Sequence, residues 1–537
     1  MRRLATIVIV LSSAMGACSR EESGTEPVLP TQGISSAPAA AMGNAVAAPN
    51  EPAGMDTPAS GMVGTAPSAQ AEPMVAQSRD PVPNAERNME GPDLAAMSDP
   101  DPAVMEEPMA GAVVDPDPDA PAVPDCNAEA WANPGNVDIP EVAEVEPSSG
   151  KGEPFGHALN LEEHGYVEHE FFFSSSSPMF KSRFLVVRPS DPAKFSGTVY
   201  VEWYNVSGTM DVPVMWSASQ EYFLREGHVY VGVSAQQVGA DSLRTVDEAR
   251  YASISHPGDT YANTIFSRAG AAVRAKPETV LGPCMNPRAV IGMGQSQSSG
   301  RLASYLSSPE GSDQVYDVIM LHSGGSPPAN PPVRTFVIRT MNEGNANSNG
   351  PNTVEWDVAG ASHNDKRLTE KSFDIIGEAY GFEEIPFQCA NPMNDYPAYR
   401  VYNAALDWMS RWATDEQRPP EGEPFEMAGV GYALDETGNM KGGVRLPDID
   451  VPIKVYSSEN APADGADLFS FVIGGLACGL AGTANPMSKQ QLMQLYPTHE
   501  DYVQKYTAAA DKAVMAGFLL QEDYEEMIDL AEAAQVP

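Results

Sequence analysis

A short apolar run that stops at a glycine and resumes as a helix stands near the middle of the sequence. Residues 289–293 have the composition of a buried strand, Gly294 ends the run, Ser296 follows, and helix-forming residues occupy 301–306. A strand that turns sharply into a helix around a serine forms a nucleophile elbow, in which a strained turn lifts the hydroxyl above the sheet edge. The segment therefore predicts a strand, a reactive serine and a helix in immediate succession.

The elbow can be placed in two registers. In the first, Ser296 is the nucleophile, with Gly294 two residues before it and Ser298 two residues after it, so the pattern is Gly-x-Ser-x-Ser. In the second, Ser298 is the nucleophile and Gly300 follows it. We favour Ser296 because glycine then occupies the tightest point of the turn, where strand and helix nearly touch.

The amino terminus has the features of an export signal. Two arginines follow Met1, residues 4–11 are apolar, and Gly16-Ala17 directly precede Cys18. A basic start, a short apolar core and small residues are typical of a secretory signal peptide. We expect a lipoprotein signal peptide over 1–17 and a lipid on Cys18, with a plain secretory signal as the alternative. The apolar run is too short to span a bilayer, so the N-terminal lipid would be the sole membrane anchor, at the outer membrane or cell surface.

Residues 18–125 differ in composition from the rest of the chain. Between residues 19 and 125 there are 18 prolines, 18 acidic residues and three arginines, and neither a lysine nor an aromatic residue. Such a segment cannot bury enough apolar surface to offset chain entropy. We expect a disordered acidic tether that holds the following domain away from the membrane.

Residues 126–537 form the predicted folded domain. They hold every aromatic residue and every lysine of the chain, and their 27 basic and 55 acidic side chains give a net charge of −28. Acidity of this size disfavours nucleic acids and anionic membrane surfaces as partners. A small-molecule substrate is the partner that we expect.

The cysteine pattern indicates disulfides rather than a metal site. Besides Cys18, the cysteines are Cys126, Cys284, Cys389 and Cys478. An even number in an exported chain predicts two disulfides, with three possible pairings. Since the sequence contains no Cys-x-x-Cys spacing, phosphate-binding loop or dinucleotide fingerprint, we expect no metal and no cofactor.

Strand and helix signals alternate along the domain. Two alternating segments predict antiparallel strands at 165–174 and 182–188, and apolar runs predict further strands at 198–203, 229–234, 289–293, 316–321, 332–339 and 353–358. Helical segments lie between several of them, at 219–226 and 261–275 among others. This alternation predicts a mainly parallel, doubly wound sheet of the α/β class.

Three residues suited to nucleophilic catalysis follow successive predicted strands. Ser296 comes first, Glu343 second and His363 third. The chain order serine, acid, histidine is that of the α/β-hydrolase fold. His363 would take the serine proton, and Glu343 would orient the imidazole. Asp357, inside a predicted strand, and Asp365, beyond the histidine, are alternative but worse placed acids.

Backbone N–H groups near the elbow would stabilise an oxyanion. The N–H of Gln297 directly follows the nucleophile, and the loop with Asn205 and Val206 follows the strand that supplies the second donor in such folds. Two histidines are candidates for the lining of the pocket. They are His322, at the end of a predicted strand, and His256, in a polar stretch.

The chain resembles the "alpha/beta hydrolase domain-containing protein" family of bacteria and fungi. The resemblance covers roughly 145–525 and implies an ester-type hydrolase with Ser296 as nucleophile and His363 as base. This family often has an aspartate in the string where this chain has Thr340-Met-Asn-Glu343. The stretches that carry the resemblance are the elbow 294–301, Glu202-Trp-Tyr-Asn-Val-Ser-Gly208, Val231-Gly-Val-Ser-Ala-Gln236, His256-Pro-Gly-Asp259, Trp356-Asp-Val-Ala-Gly-Ala-Ser-His363, the segment 442–452 and Cys478-Gly-Leu480.

The C-terminal third predicts helical additions to the sheet. Helices are expected at 398–413, 489–496, 499–516 and 521–534, with a hairpin at 432–445. We expect them to pack on the core and in part to roof the pocket. The whole sequence favours an exported, cofactor-free serine hydrolase acting on carboxylic esters. A hydrolase of another acyl bond, a thioester or an amide, and a non-catalytic binding protein on the same scaffold are the alternatives.

Overall fold

The computed structural model describes residues 126, 130–147, 149–150, 159–344, 347–380, 385, 387–429, 431–464 and 468–536. The predicted signal peptide 1–17, the lipidated Cys18 and the tether 18–125 lie outside these residues.

A large mixed sheet forms the centre of the described part of the chain. Its strands lie in the order β1-β2-β3-β5-β4-β6-β7-β8-β9, and the six strands from β5 to β9 in this order are parallel. The strands β1, β2 and β3 pair antiparallel, and β3 joins β5 antiparallel. The bounds are β1 Glu141–Glu144, β2 Tyr166–Ser176, β3 Met179–Pro189, β4 Thr198–Trp203, β5 Val229–Val233, β6 Ala289–Gln295, β7 Val318–His322, β8 Arg334–Arg339 and β9 Thr353–Asp357.

Helices connect the parallel strands and cover the sheet. Their bounds are α1 Val214–Arg225, α2 Gln237–Val246, α3 Glu248–Tyr251, α4 Ala262–Ala275, α5 Pro277–Val280, α6 Gln297–Leu306, α7 Lys366–Tyr380, α8 Ala398–Thr414, α9 Pro447–Asp450, α10 Leu468–Ala481, α11 Lys489–Leu495, α12 His499–Met515 and α13 Gln521–Ala533. Among the described residues, no helix combines the length and the apolar character needed to cross a membrane.

The core has two layers, one on each face of the sheet. Every residue of β4 and β6 is buried, which is typical of parallel strands covered on both faces. Ile291 and Met293 pack in one apolar cluster with Leu406 of α8, whereas Val290 packs in a second cluster with Leu302 of α6. Since successive strand residues point to opposite faces, the two clusters lie on opposite sides of the sheet. The predicted fold class is confirmed.

The C-terminal region differs in part from the expectation. The predicted helices form within two residues of their expected bounds, whereas the predicted hairpin 432–445 forms only as a short hairpin around residues 435–439. There, the short strands β10 Met427–Ala428 and β11 Gly431–Tyr432 pair, and a single bridge joins Leu434 to Met440. Asp435 forms the tight turn of this short hairpin, because its carboxylate accepts the N–H groups of Thr437 and Asn439. Beside the turn, the N–H of Lys441 donates to the carbonyl of Ala433 at 2.9 Å. Further on, β12 Lys454–Ser457 and β13 Thr483–Pro486 pair antiparallel.

Two disulfides close long loops of the domain. Cys126 pairs with Cys284, and Cys389 pairs with Cys478. This selects one of the three pairings that the sequence allowed. The second disulfide fixes α10 to the segment after α7.

Candidate active site

Ser296 occupies a strained turn between β6 and α6. Its backbone has φ 60° and ψ −118°, and α6 begins at the next residue. Its N–H donates to the carbonyl of His322 at 2.8 Å, and its carbonyl accepts the N–H of Gly300 at 3.1 Å. A positive φ at a non-glycine residue persists only where the surroundings impose it, and such residues cluster at functional sites. The local geometry is that of the predicted elbow.

Small residues are required around this turn. A Cβ atom on Gly294 would lie 3.1 Å from Leu302 Cδ1 and 3.2 Å from Ser298 Cβ. A Cβ atom on Gly324, in the loop after β7, would lie 2.7 Å from the carbonyl oxygen of Ser296. The turn is therefore enclosed by two glycines that permit close approach of the backbone.

Ser298 has a different environment from Ser296. Its side chain is fully buried, and its hydroxyl donates to the carbonyl of Gln295 at 2.8 Å. Ser296 is partly exposed and lies at the turn itself. The geometry favours Ser296 over Ser298 as the reactive hydroxyl.

The three residues predicted to act together lie within hydrogen-bond distance of one another. His363 Nε2 lies 2.8 Å from Ser296 Oγ, and His363 Nδ1 lies 2.6 Å from Glu343 Oε1. The side chains of His363 and Glu343 are each 12% exposed. A serine, a histidine and a carboxylate in this arrangement can pass a proton from the hydroxyl to the imidazole while the carboxylate holds the ring.

Glu343 is held in its charged form. Burial acts to raise the pKa of Glu343, but the interaction with His363 and the hydrogen bonds from Thr340 outweigh it and leave the pKa below its usual value. Thr340 donates from its N–H at 2.7 Å and from its hydroxyl at 2.6 Å, both to Glu343 Oε2. The second carboxylate oxygen is thereby occupied, and Oε1 is left for the histidine.

Neighbouring backbone groups fix the loops that carry the acid and the histidine. The N–H of His363 donates to Asn342 Oδ1 at 2.8 Å, and the N–H of Met341 donates to the carbonyl of Ala361 at 2.9 Å. Ser362 Oγ donates to the carbonyl of Ala481, at the end of α10, at 2.8 Å. These bonds join the two loops to each other and to α10.

The alternative acids serve other purposes. Asp357 Oδ2 accepts the N–H of Phe425 at 3.0 Å, and Asp365 Oδ1 accepts the N–H of Leu368 in the first turn of α7 at 2.8 Å. Burial raises the pKa of each of these carboxyls to about 6. Glu343, and neither aspartate, is the carboxylate bonded to His363.

The structure leaves two of the three candidate oxyanion donors with an unbonded N–H group among the described residues. Gln297 is the first residue of α6, where helix geometry leaves the N–H without an intrahelical acceptor. The prediction that Asn205 offers its N–H is wrong, because this group donates to the carbonyl of Val212 at 3.1 Å. Asn205 instead links its loop to the elbow, since its Nδ2 donates to the carbonyl of Gln295 at 3.0 Å. Val206 stays the candidate for the second donor.

Neither pocket histidine has a nitrogen available to a substrate. His322 is fully buried and packs edge-on against Tyr402, with ring centroids 4.4 Å apart, so its prediction as a pocket residue is wrong. Burial lowers the pKa of His322 to about 3 and keeps the ring neutral. His256 lies 3.0 Å from the carbonyl of Ala235 through Nε2 and accepts the N–H of Gly258 through Nδ1 at 3.1 Å. It orders its own loop.

Sequence reasoning missed the residues that support the three central side chains. Thr340 and Asn342 both precede Glu343 in the string Thr340-Met-Asn-Glu343. Thr340 donates to the Glu343 carboxylate, and Asn342 Oδ1 accepts the N–H of His363. Their position directly after a strand was a usable signal, because polar residues at strand ends of this sheet edge lie close together.

In the described residues, no group of three histidines, cysteines or carboxylates could hold a metal ion.

The comparison with protein families agrees with this architecture. The sequence matches the family described as "Alpha/beta hydrolase domain" over residues 137–529, which is well over half of the chain. The chain belongs to this family. The resemblance inferred from the elbow and the other motifs is thereby confirmed, and the α/β-hydrolase assignment covers both the strands and the C-terminal helices.

Matches to solved structures are partial and low in sequence identity. They include a PNB esterase, at 15% identity over 27% of this chain and 29% of the esterase with a TM-score of 0.20, and the esterase Est22, at 12% identity over 33% and 66% with a TM-score of 0.24. Oligopeptidase B from Leishmania major matches at 14% identity over 29% and 20%, with a TM-score of 0.21. This chain thus spans less than two thirds of each of these proteins. A search of curated proteins found no match.

Proposed function

We propose that this α/β-hydrolase is a serine hydrolase that cleaves carboxylic ester bonds. The observation that carries the proposal is the pair of contacts at His363, 2.8 Å from Ser296 Oγ on one side of the ring and 2.6 Å from Glu343 on the other. A neutral imidazole in this position accepts the serine proton through Nε2, and the carboxylate favours the tautomer with the proton on Nδ1.

Acylation begins when Ser296 Oγ attacks the carbonyl carbon of the ester. The hydroxyl proton passes to His363 Nε2, and the carbonyl oxygen becomes an oxyanion facing the N–H groups of Gln297 and Val206. The intermediate collapses and breaks the bond to the alcohol oxygen. His363 gives its proton to this leaving oxygen, so an alcohol departs and the acyl group stays on Ser296.

Deacylation repeats the steps with water in the place of the alcohol. His363 takes a proton from the water as its oxygen attacks the acyl carbon, and the second intermediate collapses to release the carboxylic acid. Ser296 Oγ recovers its proton from His363. Glu343 stays ionised throughout, which agrees with its lowered pKa. Every proton transfer in this scheme uses these side chains and water, so the proposed reaction requires no cofactor.

Two alternatives are weaker on the same geometry. The same relay can cleave a thioester or an amide, and the names of the solved structures with a similar fold, two esterases and a peptidase, do not separate these substrates. A non-catalytic binding protein is the second alternative, and both the missing aspartate and the long predicted tether motivate it. The distance of 2.6 Å between Glu343 and His363 Nδ1 speaks against the first of these reasons.

The proposal places the enzyme outside the cytoplasm. The disulfides Cys126–Cys284 and Cys389–Cys478 support export, because such bonds persist in oxidising compartments. We propose a signal peptide over 1–17, a lipid on Cys18, a tether over 18–125 and the hydrolase domain over 126–537. Mass spectrometry of the amino-terminal peptide of the mature protein tests the anchor. A diacylglyceryl adduct on Cys18 supports it, and a mature protein without lipid contradicts it.

Turnover of matched substrates tests the activity. Aryl esters with acyl chains of two to eight carbons are compared with the corresponding thioesters and anilides. We expect the highest kcat/KM for an ester, loss of turnover in Ser296→Ala, and near-normal turnover in Ser298→Ala, which removes only a buried hydroxyl. A purified, folded protein that turns over none of these compounds would contradict the proposal.

A further inference from the structure

We propose that Gln236, Asp259 and Arg301 are positioning residues that hold the two oxyanion-binding N–H groups in place. The inference rests on the proposed serine hydrolase and assigns residues to its reaction beyond the triad. The three side chains come from separate parts of the chain. Gln236 directly precedes α2, Asp259 ends the His256-Pro-Gly-Asp string, and Arg301 lies on α6.

These side chains form a continuous hydrogen-bonded cluster with two further residues. Gln236 Oε1 accepts from Trp203 Nε1 at 3.0 Å and from Gln297 Nε2 at 2.9 Å. Gln236 Nε2 donates to Asp259 Oδ2 at 3.1 Å, and Arg301 donates to the same oxygen at 2.8 Å. We call these five residues the Gln236 cluster.

The donor and acceptor roles permit a single arrangement of this cluster. The Trp203 indole is only a donor and the Asp259 carboxylate is only an acceptor, so the Gln236 amide has one satisfactory orientation. Its oxygen must face Trp203, and its NH2 group must face Asp259. Gln297 must then donate its own NH2 group to Gln236, which fixes the side chain of the residue next to the nucleophile.

The cluster joins the two segments that supply the proposed oxyanion donors. Trp203 is the last residue of β4, and the loop with Val206 follows it. Gln297 carries the other N–H at the start of α6. A second link between the same segments is the bond from Asn205 Nδ2 to the carbonyl of Gln295 at 3.0 Å. The distance between the two N–H groups therefore depends on these bonds.

Stability alone would not select this arrangement. Gln297 Oε1 points away from Gln236, is buried, and has no hydrogen-bond partner among the described residues. An unpaired buried acceptor costs free energy. The Asp259 and Arg301 side chains are 35% and 37% exposed, and ion pairs at such positions contribute little to folding. Correct placement of the Gln297 backbone accounts for both features.

Exchange of the acid and the amide tests the proposal. In Gln236→Glu, two carboxylates face each other across the former 3.1 Å bond. In the wild type, the N–H of Gln237 donates to Asp259 Oδ1 at 2.8 Å. In Asp259→Asn, the NH2 group of the asparagine must therefore face another donor, either the Gln236 NH2 group or the N–H of Gln237. We expect each single variant to lower kcat about 10- to 100-fold, with KM changed less than about twofold, because the oxyanion forms only during the reaction.

The double variant Gln236→Glu/Asp259→Asn restores complementary groups. The asparagine NH2 group can donate to the new carboxylate, its oxygen still faces the N–H of Gln237, and the total charge is that of the original pair. Arg301, which donates to Asp259 Oδ2 in the wild type, loses this acceptor, so the recovery is expected to be partial. We therefore expect kcat of the double variant to exceed that of either single variant. A residue that acts through general packing would give no such recovery.

Asp317→Asn is the matched control. Asp317 also pairs with an arginine, Arg274, at 2.5 Å, and accepts a backbone N–H, that of Val290 at 2.8 Å. Val290 lies near the start of β6, at the opposite end of the strand from Ser296. We expect this variant to change the melting temperature at most, with kcat unchanged.

The outcomes separate this inference from the proposed function. Two results with an active wild-type protein would overturn the role of the cluster and leave the proposed function intact. One is full kcat in both single variants. The other is a double variant in which the fold-losses of kcat from the two single variants multiply. A wild-type protein without ester turnover and without a reactive Ser296 would overturn the proposed function, and the positioning role with it. We expect a lower kcat in each single variant and a partial recovery of kcat in the double variant.

Discussion

Glu343 Oε1 lies 2.6 Å from His363 Nδ1, at a loop position where the sequence offers no aspartate. The longer glutamate side chain reaches the ring because Thr340 holds its other oxygen with two hydrogen bonds. The loop after β8 thus positions the Glu343 carboxylate, and Thr340 contributes to this position through both of its hydrogen bonds.

Replacement of Glu343 by glutamine is expected to lower kcat about 10⁴-fold, because an amide no longer favours the productive tautomer of the imidazole. Steady-state kinetics on the best ester substrate measures the loss. Asp365→Asn is the matched control, since asparagine caps the first turn of α7 about as well as aspartate does. A similar loss in Asp365→Asn with normal turnover in Glu343→Gln would move the acid to Asp365.

Gly324→Ala is expected to impair the elbow although it replaces none of the three proposed catalytic residues. The new Cβ would lie 2.7 Å from the carbonyl oxygen of Ser296, so the turn must shift, and we expect at least a tenfold loss of kcat. Gly300→Ala is the comparison within α6, because nothing lies within 4 Å of its Cβ position. That variant should keep its kcat and gain about 0.5–1 kcal/mol in the free energy of unfolding from helix propensity. Equal behaviour of the two variants would argue against a shape requirement at Gly324.

The two disulfides are expected to differ in their effect on catalysis. Removal of either by paired Cys→Ser changes should lower the free energy of unfolding by about 2–5 kcal/mol. Only the loss of Cys389–Cys478 should lower kcat, because α10 holds the histidine loop through the carbonyls of Ala481 and Leu480. Thermal unfolding and kinetics on both double variants check this. A lower kcat after removal of Cys126–Cys284 alone would contradict it.

Glu202 is expected to make the protein less stable as the pH rises from 4.5 to about 7. Its carboxylate is fully buried at the end of β4, and burial raises its pKa from 4.5 to about 7, against the effect of hydrogen bonds from Tyr230, Met215 and Trp216. Between these two values the folded state binds a proton that the unfolded state lacks, so stability falls with rising pH.

Urea unfolding of wild type and Glu202→Gln from pH 5 to pH 8 measures this effect. The wild-type stability should fall relative to that of the variant by on the order of 3 kcal/mol over this range. Parallel pH profiles for the two proteins would contradict a raised pKa at Glu202.

Much of the sheet was predictable from local sequence. The strand expected at 198–203 has these bounds in the structure, and β9 differs from its prediction by one residue. Apolar runs bounded by turn residues are a strong local signal. The proximity of Ser296, Glu343 and His363 was predictable by the same reasoning, because residues that follow parallel strands meet at one edge of the sheet.

Other features depend on contacts between distant parts of the chain and were not predictable. The pairing of β12 with β13, the cysteine partners and the burial of His322 under Tyr402 each join segments far apart in sequence. The Gln236 cluster also joins motifs whose proximity only the fold creates.

Labelling with a fluorophosphonate probe, followed by peptide mass spectrometry, tests the central claim most directly. Such probes react with serines that a neighbouring base activates. We expect one adduct on Ser296 that disappears in His363→Ala and persists in Ser298→Ala. An adduct on Ser298, or no adduct on a protein shown to be folded, would contradict the assignment of Ser296 as the nucleophile.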